Sequence, residues 1–297
     1  MPLECFICPD EGMIPVRDCI AKCRLPYRCL TLPTLIAVSE ERPWNGEPST
    51  TQLLNGTMLE YLKLTTPYNI YPDSRAFMLA GRKHHEQMEA VAKEIGLPAE
   101  LALSGDRDIF DLLEVEDGQV ILTDYKNWGS FKVAKALGIT ETGKQPDPSG
   151  AVYKSSGKWG KEGSPKMVPT FEQVPDKAEN WEAELQLNRY RIMLEDLGVK
   201  VHRLQLQVTV RDGSLFIAKQ RGVERNTYRI PVPTMENETV KVYFADKDFL
   251  LKQAMESGWS TPCSPLECWD GIRCERYCDV AEFCPKGILV KSLEGGK

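Results

Sequence analysis

The stretch DLLEVEDGQVILTDYKNWG, residues 111–129, holds two apolar runs that meet at Asp117-Gly118. Asp-Gly between alternating apolar runs is a strong short-range hairpin signal. With these two residues as the turn, cross-strand partners mirror one another about it, and Asp111 faces Asp124. Directly opposed side chains have Cβ atoms roughly 4.5–5.5 Å apart on one face. Alternation adds Lys126, Leu113 and Leu122 to that face and puts Leu112 and Tyr125 on the other. Two carboxylates that close repel unless something positive sits between them. Hard oxygen ligands suit Mg2+ or Mn2+. A neighbouring lysine can orient a water or stabilise charge on a phosphate. The competing reading is an exposed hairpin whose like-charge pair is relieved by Lys126, but its surroundings are too apolar for a solvated face. A bulge at the turn would shift the register and bring Asp108 or Asp106 into play.

The rest of the chain bounds what such a hairpin can belong to. It has 297 residues, 42% of them hydrophobic, so there is material for a real core. The net charge of -6 argues against wholesale electrostatic binding to nucleic acid, though a local basic groove remains compatible with it. The N-terminus lacks an apolar signal region, and no run approaches the length of a membrane helix, so a cytoplasmic protein without membrane contact is expected.

Cysteine use departs from this plain picture. Five cysteines (Cys5, Cys8, Cys19, Cys23, Cys29) lie at the start and five (Cys263, Cys268, Cys274, Cys278, Cys284) near the end. In a reducing compartment, clusters of this kind read as metal ligands rather than disulfides. Cys5, Cys8, Cys19 and Cys23 have the pair-plus-pair look of a zinc site, with the place of Cys29 left open.

Three segments follow: a Cys-rich metal-binding segment over 1–48, a core over 49–255, and a second Cys-rich segment over 256–297. Within the core, residues 48–64 read as a short helix after a Ser/Thr cap and 73–96 as a longer one with Phe77, Ala80, His84, Met88, Val91 and Ile95 at helical spacing. A short helix is expected over 130–139. Residues 140–170, rich in Gly, Pro, Ser and Lys, read as a long mobile loop. A strong amphipathic helix runs to Gly198. VHRLQLQVTVRDG and SLFIAKQRG read as strands about an Asp-Gly turn, and TVKVYFADKDFLLKQAME as a strand followed by a helix. No internal repeat stands out. Among the three histidines, His84 falls on the apolar stripe, which leaves His85 as the candidate ligand. Gln186 and Tyr190 are four apart and share a helix face.

A strand aspartate, a turn, and Asp-x-Lys at the end of the next strand resemble the PD-(D/E)XK nuclease core. The pattern is more narrowly similar to the RecB-like exonucleases, which include AddB and the iron–sulfur exonucleases of CRISPR adaptation. Asp111 is similar to the family's second-motif aspartate, and Asp124 and Lys126 to its (D/E)-x-K. Gly81-x-x-x-His85 is similar to the motif that supplies a metal-binding imidazole, and Gln186-x-x-x-Tyr190 to the Gln-x-x-x-Tyr motif. The four span roughly residues 77–195. The resemblance implies a restriction-endonuclease-like α/β core, a mixed central sheet flanked by helices. It also implies a Mg2+- or Mn2+-dependent deoxyribonuclease of exonuclease type, and DNA, as single strands or duplex ends, as partner.

In the same subfamily one early and three late cysteines hold a [4Fe-4S] cluster. Cys274, Cys278 and Cys284 keep the last interval of that pattern and lengthen the first by one. The family's early Cys-Pro-Arg is absent, so Cys268, Cys29 and Cys23 are candidates for the fourth ligand. The partition adopted is Cys268, Cys274, Cys278 and Cys284 for the cluster and Cys5, Cys8, Cys19 and Cys23 for a second metal, zinc among the choices. Lys144, Lys154, Lys158, Lys161 and Lys166, interleaved with Tyr153 and Trp159, suit single-stranded DNA, or form a solvated insert. Two alternatives stand beside this reading. One is a catalytically silent iron–sulfur or zinc module that binds DNA or a helicase or other recombination or defence partner. The other is a zinc-bearing interaction protein unrelated to nucleic acid.

Overall fold

The structure, a computed structural model, describes residues 2–23, 25–158 and 160–294. In chain order its strands are β1 (Leu3–Cys8), β2 (Gly12–Pro15), β3 (Tyr68–Ile70), β4 (Ala99–Ser104), β5 (Arg107–Glu116), β6 (Gln119–Trp128), β7 (Ile139–Pro146), β8 (Met167–Gln173), β9 (Arg203–Val210) and β10 (Thr227–Val232). Its α-helices are α1 (Val16–Ala21), α2 (Leu32–Ser39), α3 (Thr50–Leu54), α4 (Thr57–Thr65), α5 (Ala76–Glu94), α6 (Ser130–Ala136), α7 (Trp181–Asp196), α8 (Phe216–Lys219), α9 (Asn237–Ser257), α10 (Ile272–Arg276) and α11 (Pro285–Glu294).

The hairpin forms in the expected register. β5 and β6 pair antiparallel from Glu116↔Gln119 to Leu112↔Thr123. Asp117 and Gly118 both adopt positive φ, 51° and 74°, as a two-residue type I′ turn requires. β4 joins the other side of β5 through Gly105-Asp106, and β9 joins β6 in parallel. The result is a mixed five-stranded sheet, order β10-β9-β6-β5-β4.

Helices cover both faces of this sheet. Leu187, Tyr190 and Leu194 of α7 pack on Leu113, Leu122, Leu206 and Val208. Met88 and Ala92 of α5 pack on Ala99, Leu112 and Tyr125. The fold is thus α/β, with a mixed central sheet between helical layers. Leu187, Leu206 and Val208 are fully buried; a side chain of this kind contributes about 1.5–3 kcal/mol on leaving water.

The two Cys-rich ends meet. β1 pairs antiparallel with β2 and parallel with β3. Phe6, Leu35, Val38, Leu59 and Tyr68 share one apolar cluster with Val280 and Cys284. The composition boundaries at 48 and 256 are therefore crossed by packing: the ends fold onto α2, α4 and β3 as one layer.

Three expectations about local structure are corrected. Residues 140–170 are not one long loop: β7 and β8 pair from Ile139↔Gln173 to Pro146↔Met167 as a ribbon apart from the central sheet. Its strands bury almost nothing, so they carry no apolar alternation to read. Trp159 lies outside the described residues. SLFIAKQRG is no strand. Ser130 donates both its N–H and its hydroxyl to Asp212, each at 2.6 Å, which pins the turn, and the chain then forms helix α8 with Ala218 buried. The true partner of β9 is TYRIPV, β10. Residues 237–257 form one helix, not strand then helix, with Val240, Phe244, Lys247, Leu251 and Ala254 buried at helical intervals.

Candidate functional site

β5–β6 pairing stops at Leu112↔Thr123, one residue short of the aspartates. Beyond that point the Tyr125 N–H donates to Asp111 Oδ2 at 2.6 Å. A carboxylate thus takes a place on β6 that a strand carbonyl would otherwise fill, and the strands part beside it. On the other side of β5, Ala99 faces Leu112 and Leu101 faces Phe110, which sets Glu100 against Asp111. Glu100, Asp111 and Asp124 therefore form a row across three strands. Glu100 adopts φ 49°, a left-handed conformation that costs roughly 1–2 kcal/mol in a non-glycine residue. Strain of this kind tends to gather at functional sites.

His85, from α5, meets this row. Its Nδ1 lies 2.9 Å from Glu100 Oε1 and 3.6 Å from Asp111 Oδ2. One ligand atom each from His85, Glu100 and Asp111 fall within 4.8 Å of one another. The hydrogen bond that His85 Nδ1 donates to Glu100 raises the His85 pKa against the opposing effect of burial, and Asp111 adds to the rise. His84, its neighbour, packs edge-on to the Tyr125 ring at 5.4 Å, and burial lowers its pKa.

Asp111 is buried and its pKa is pushed up to about 8, first by desolvation and then by the Asp124 carboxylate. The Asp111 and Asp124 carboxylates outnumber the positive charge beside them. Lys126 supplies part of it, with Nζ 2.7 Å from Asp124 Oδ2. Burial alone would lower the Lys126 pKa; Asp124 and Asp111 outweigh it and hold the ammonium protonated. Lys126 also donates to Gln186 Oε1 at 3.2 Å, and Gln186 Nε2 lies 3.5 Å from the Tyr190 hydroxyl. Desolvation raises the Tyr190 pKa, so the phenol stays neutral. The structure thus brings together Asp111, Asp124, Lys126, His85, Gln186 and Tyr190. Asp108 lies apart: it accepts from Thr50 N–H and hydroxyl, each at 2.6 Å, and from Ser104.

Two features escaped the sequence reading. Glu100 is one. A signal for it existed, because Gly105-Asp106 is a hairpin turn and mirroring about it puts Glu100 opposite Asp111. The other is a face of cation–aromatic pairs on the elements around the site. Lys132 lies 4.5 Å from the Trp128 ring centre, Arg211 4.8 Å from Phe77, and Lys135 and Arg221 each 5.7 Å from Phe131. Trp128 ends the strand that carries Lys126, Phe77 begins the helix that carries His85, and the Arg211 N–H donates to the Trp128 carbonyl.

All ten cysteines are free thiols. Cys8, Cys19, Cys23 and Cys29 line one pocket. Cys5 is not among them: Glu4 and Asp18 are the charges beside it. The pocket thus groups Cys29, rather than Cys5, with Cys8, Cys19 and Cys23. Cys5 and Cys8 are three apart on β1, so they point to opposite sides of it. Near the C-terminus, Cys274 feels Cys268, Cys278 and Cys284, and Cys278 feels Cys263.

No protein-family profile matches the chain, and no curated protein does. A solved structure described as "Crystal structure of SSO0001" aligns at a TM-score of 0.40 and 12% identity, over 85% of this chain and 91% of that one. A likeness at that level carries no argument about activity, so the site is read from its own chemistry. No helix among the described residues is long and apolar enough to cross a membrane.

Proposed function

We propose that the protein is a divalent-cation-dependent deoxyribonuclease with a PD-(D/E)XK-like core, acting as a RecB-like exonuclease with single-stranded DNA favoured. The observation that carries this reading is the row of half-buried Glu100 with buried Asp111 and Asp124, set against His85 and Lys126. A carboxylate raised for want of positive charge is a site that a cation completes. The donor set, one imidazole nitrogen and several carboxylate oxygens, fits a small hard ion such as Mg2+ or Mn2+. His85, Glu100, Asp111 and Asp124 would hold it. When bound, the ion polarises the phosphate and lowers the pKa of a water.

The chain's own residues do the rest. Lys126, held protonated, does not accept a proton; its ammonium faces the negative charge that develops on the phosphate. Gln186 and Tyr190 fix the direction of that ammonium. Trp128, Phe131 and Phe77 offer stacking surfaces, and Lys132, Lys135, Arg211 and Arg221 neutralise backbone phosphates. Lys144, Lys154, Lys158, Lys161 and Lys166 extend this charge along the ribbon. Cys274, Cys278 and Cys284, with a fourth thiolate from Cys263 or Cys268, would hold a structural [4Fe-4S] cluster; free thiols gathered from one segment suit it. A helicase or another recombination or defence protein is a natural partner.

End-labelled single- and double-stranded DNA, incubated with Mg2+, Mn2+ or EDTA, tests the reading. Cleavage that needs the cation and disappears in Asp124→Ala is expected. Full activity in Asp124→Ala, or binding without any cleavage by the wild type, would sink it and favour a silent DNA-binding module.

A further inference from the structure

The cysteines carry a repeat that the first reading of the chain overlooked. Cys8, Cys19, Cys23 and Cys29 are separated by ten, three and five residues. Cys263, Cys274, Cys278 and Cys284 are separated by ten, three and five residues as well, at a constant offset of 255. Cys5 and Cys268 fall outside the pattern; the positions matching them hold Ser260 and Met13.

The structure sorts the N-terminal thiols in the same way. Cys8, Cys19, Cys23 and Cys29 surround one pocket, closed by Phe6, Ile14 and Leu35. Cys19 is within electrostatic reach of Cys23, Cys29 and Cys8, and Cys5 does not line the pocket. At the other end Cys263 feels Cys284, Cys278 feels Cys263, and Cys274 feels Cys268, Cys278 and Cys284, so here the matching intervals, not proximity, single out Cys263 over Cys268. Gly56 leaves room for Cys263, whose sulfur a Cβ there would strike. Cys268 is buried beside this group, with its Sγ 3.6 Å from the Pro265 carbonyl. The two sets flank a single apolar cluster: Cys19 packs against it from one side of the sequence, and Cys263, Cys278 and Cys284 from the other.

We propose that the two sets are copies of one four-thiolate motif and that each holds its own iron–sulfur cluster. The C-terminal half rests on the cluster proposed above; the N-terminal half stands on its own residues. Four thiolates suit zinc or an iron–sulfur core. A lone zinc with 2.3 Å bonds holds its sulfurs about 3.8 Å apart. Among the described residues no three cysteine sulfurs lie within 4.8 Å of one another, although His85, Glu100 and Asp111 do. The wider spacing suits a polynuclear core in which each thiolate binds a different iron. One observation pulls the other way: the N-terminal pocket has a volume of only about 10 Å3, enough for one water or one ion. Thiol rotation moves the sulfurs and reshapes the void together, so the matching intervals of the two sets carry the assignment of one kind of centre to both.

The full chain, purified anaerobically with iron supplied, provides the test through iron, zinc and acid-labile sulfide per chain. About eight iron atoms are expected in the wild type, about four per cluster. Cys23→Ser and Cys278→Ser should each lose about half. Cys5→Ser and Cys268→Ser should lose none. The wild-type count does not depend on any variant folding. Zinc in the N-terminal set, or iron unchanged in Cys23→Ser, overturns the proposal. So does loss of all iron in either variant, which would mean one shared cluster. Loss of half the iron in Cys5→Ser or Cys268→Ser overturns the partition. Iron lost from Cys23→Ser alone, with Cys278→Ser keeping all of the wild-type content, defeats the C-terminal cluster and with it the twin arrangement. None of these outcomes touches the DNA cleavage assay.

Discussion

Asp111→Asn is expected to stabilise the cation-free protein while abolishing cleavage. The Asp111 pKa is raised from 3.8 to about 8. A group whose folded pKa is raised in this way adds no penalty below its unfolded value. The penalty grows as pH climbs from about 4 to about 8 and is constant above that. At pH 7 the unfolded chain ionises this carboxyl and the folded chain resists. At 1.36 kcal/mol per unit, over roughly three units, the ceiling is about 4 kcal/mol. Shifts of His85 and entry of water relieve part of it, so a gain of about 1–3 kcal/mol is expected for the neutral amide. Asparagine keeps an oxygen to accept the Tyr125 N–H. For a chain of this size, that gain raises the melting temperature by about 3–10 °C. Thermal melts in EDTA from pH 4.5 to 8.5 provide the assay. The gap between variant and wild type should shrink toward zero at the acid end. Saturating Mn2+ should then stabilise the wild type, by about 2.7 kcal/mol at a hundred times its Kd, and leave the variant unmoved. A variant no more stable than wild type at pH 8 in EDTA, or a gap that ignores pH, would refute the reasoning.

Glu100→Gln should weaken Mn2+ binding by about 10–100-fold, the usual loss when a partner of a metal-site histidine is removed; unchanged affinity by calorimetry would take Glu100 out of the site. Gln186→Ala frees the Lys126 ammonium to lie wholly on Asp124, so kcat should fall by about 10–100-fold with KM for DNA nearly constant, and steady-state kinetics that move KM instead would count against this. Arg211→Ala and Lys132→Ala should weaken single-stranded DNA binding across all sequences and lower the slope of log affinity against log salt by about 0.7 each; an unchanged slope would mean that strands do not pass over Phe77 and Trp128.

The hairpin was legible because its turn chemistry fixes the register, and the register fixes which carboxylates meet. Asp111 and Asp124 follow from Asp117-Gly118 alone. Glu100 follows from Gly105-Asp106 by the same logic, but β4 has little apolar alternation to announce a strand. Helix α9 was misread because Thr239, Val240, Val242, Tyr243 and Phe244 near its start are β-branched or aromatic, and local preference masked a helical spacing that only tertiary burial reveals. The ribbon β7–β8 was hidden by the composition of its tip. The cation–aromatic face joins residues from α5, β6, α6 and the turns that follow β9 and α8, and no sequence window contains such a group. The cysteine repeat was legible throughout, but only to a comparison of intervals across 255 residues.

The thiol layer and the carboxylate–histidine site are joined through Arg75. Asp279 follows Cys278 directly. Its carboxylate lies 3.1 Å from Lys63 Nζ and 3.4 Å from Arg75 Nη2. Arg75 also donates to the Val38 carbonyl at 3.3 Å and to the Tyr68 hydroxyl at 2.9 Å, and Tyr68 donates to Glu41. Arg75 is the residue from which α5 starts, and His85 stands ten residues along that helix. A metal that orders Cys278 therefore orders Asp279, and through Arg75 it anchors the end of the helix that presents His85. The far end of α5 needs no such anchor, since Ala92 and Met88 already pack on the central sheet. Loss of the C-terminal centre should accordingly loosen the start of α5 before it loosens the sheet. Hydrogen exchange in Cys278→Ser should rise first around residues 68–80, while Leu206 and Val208 in the sheet keep their protection. Early exchange in β6 and β9 instead would mean that the thiol layer supports the sheet itself, and that the path through Arg75 carries nothing.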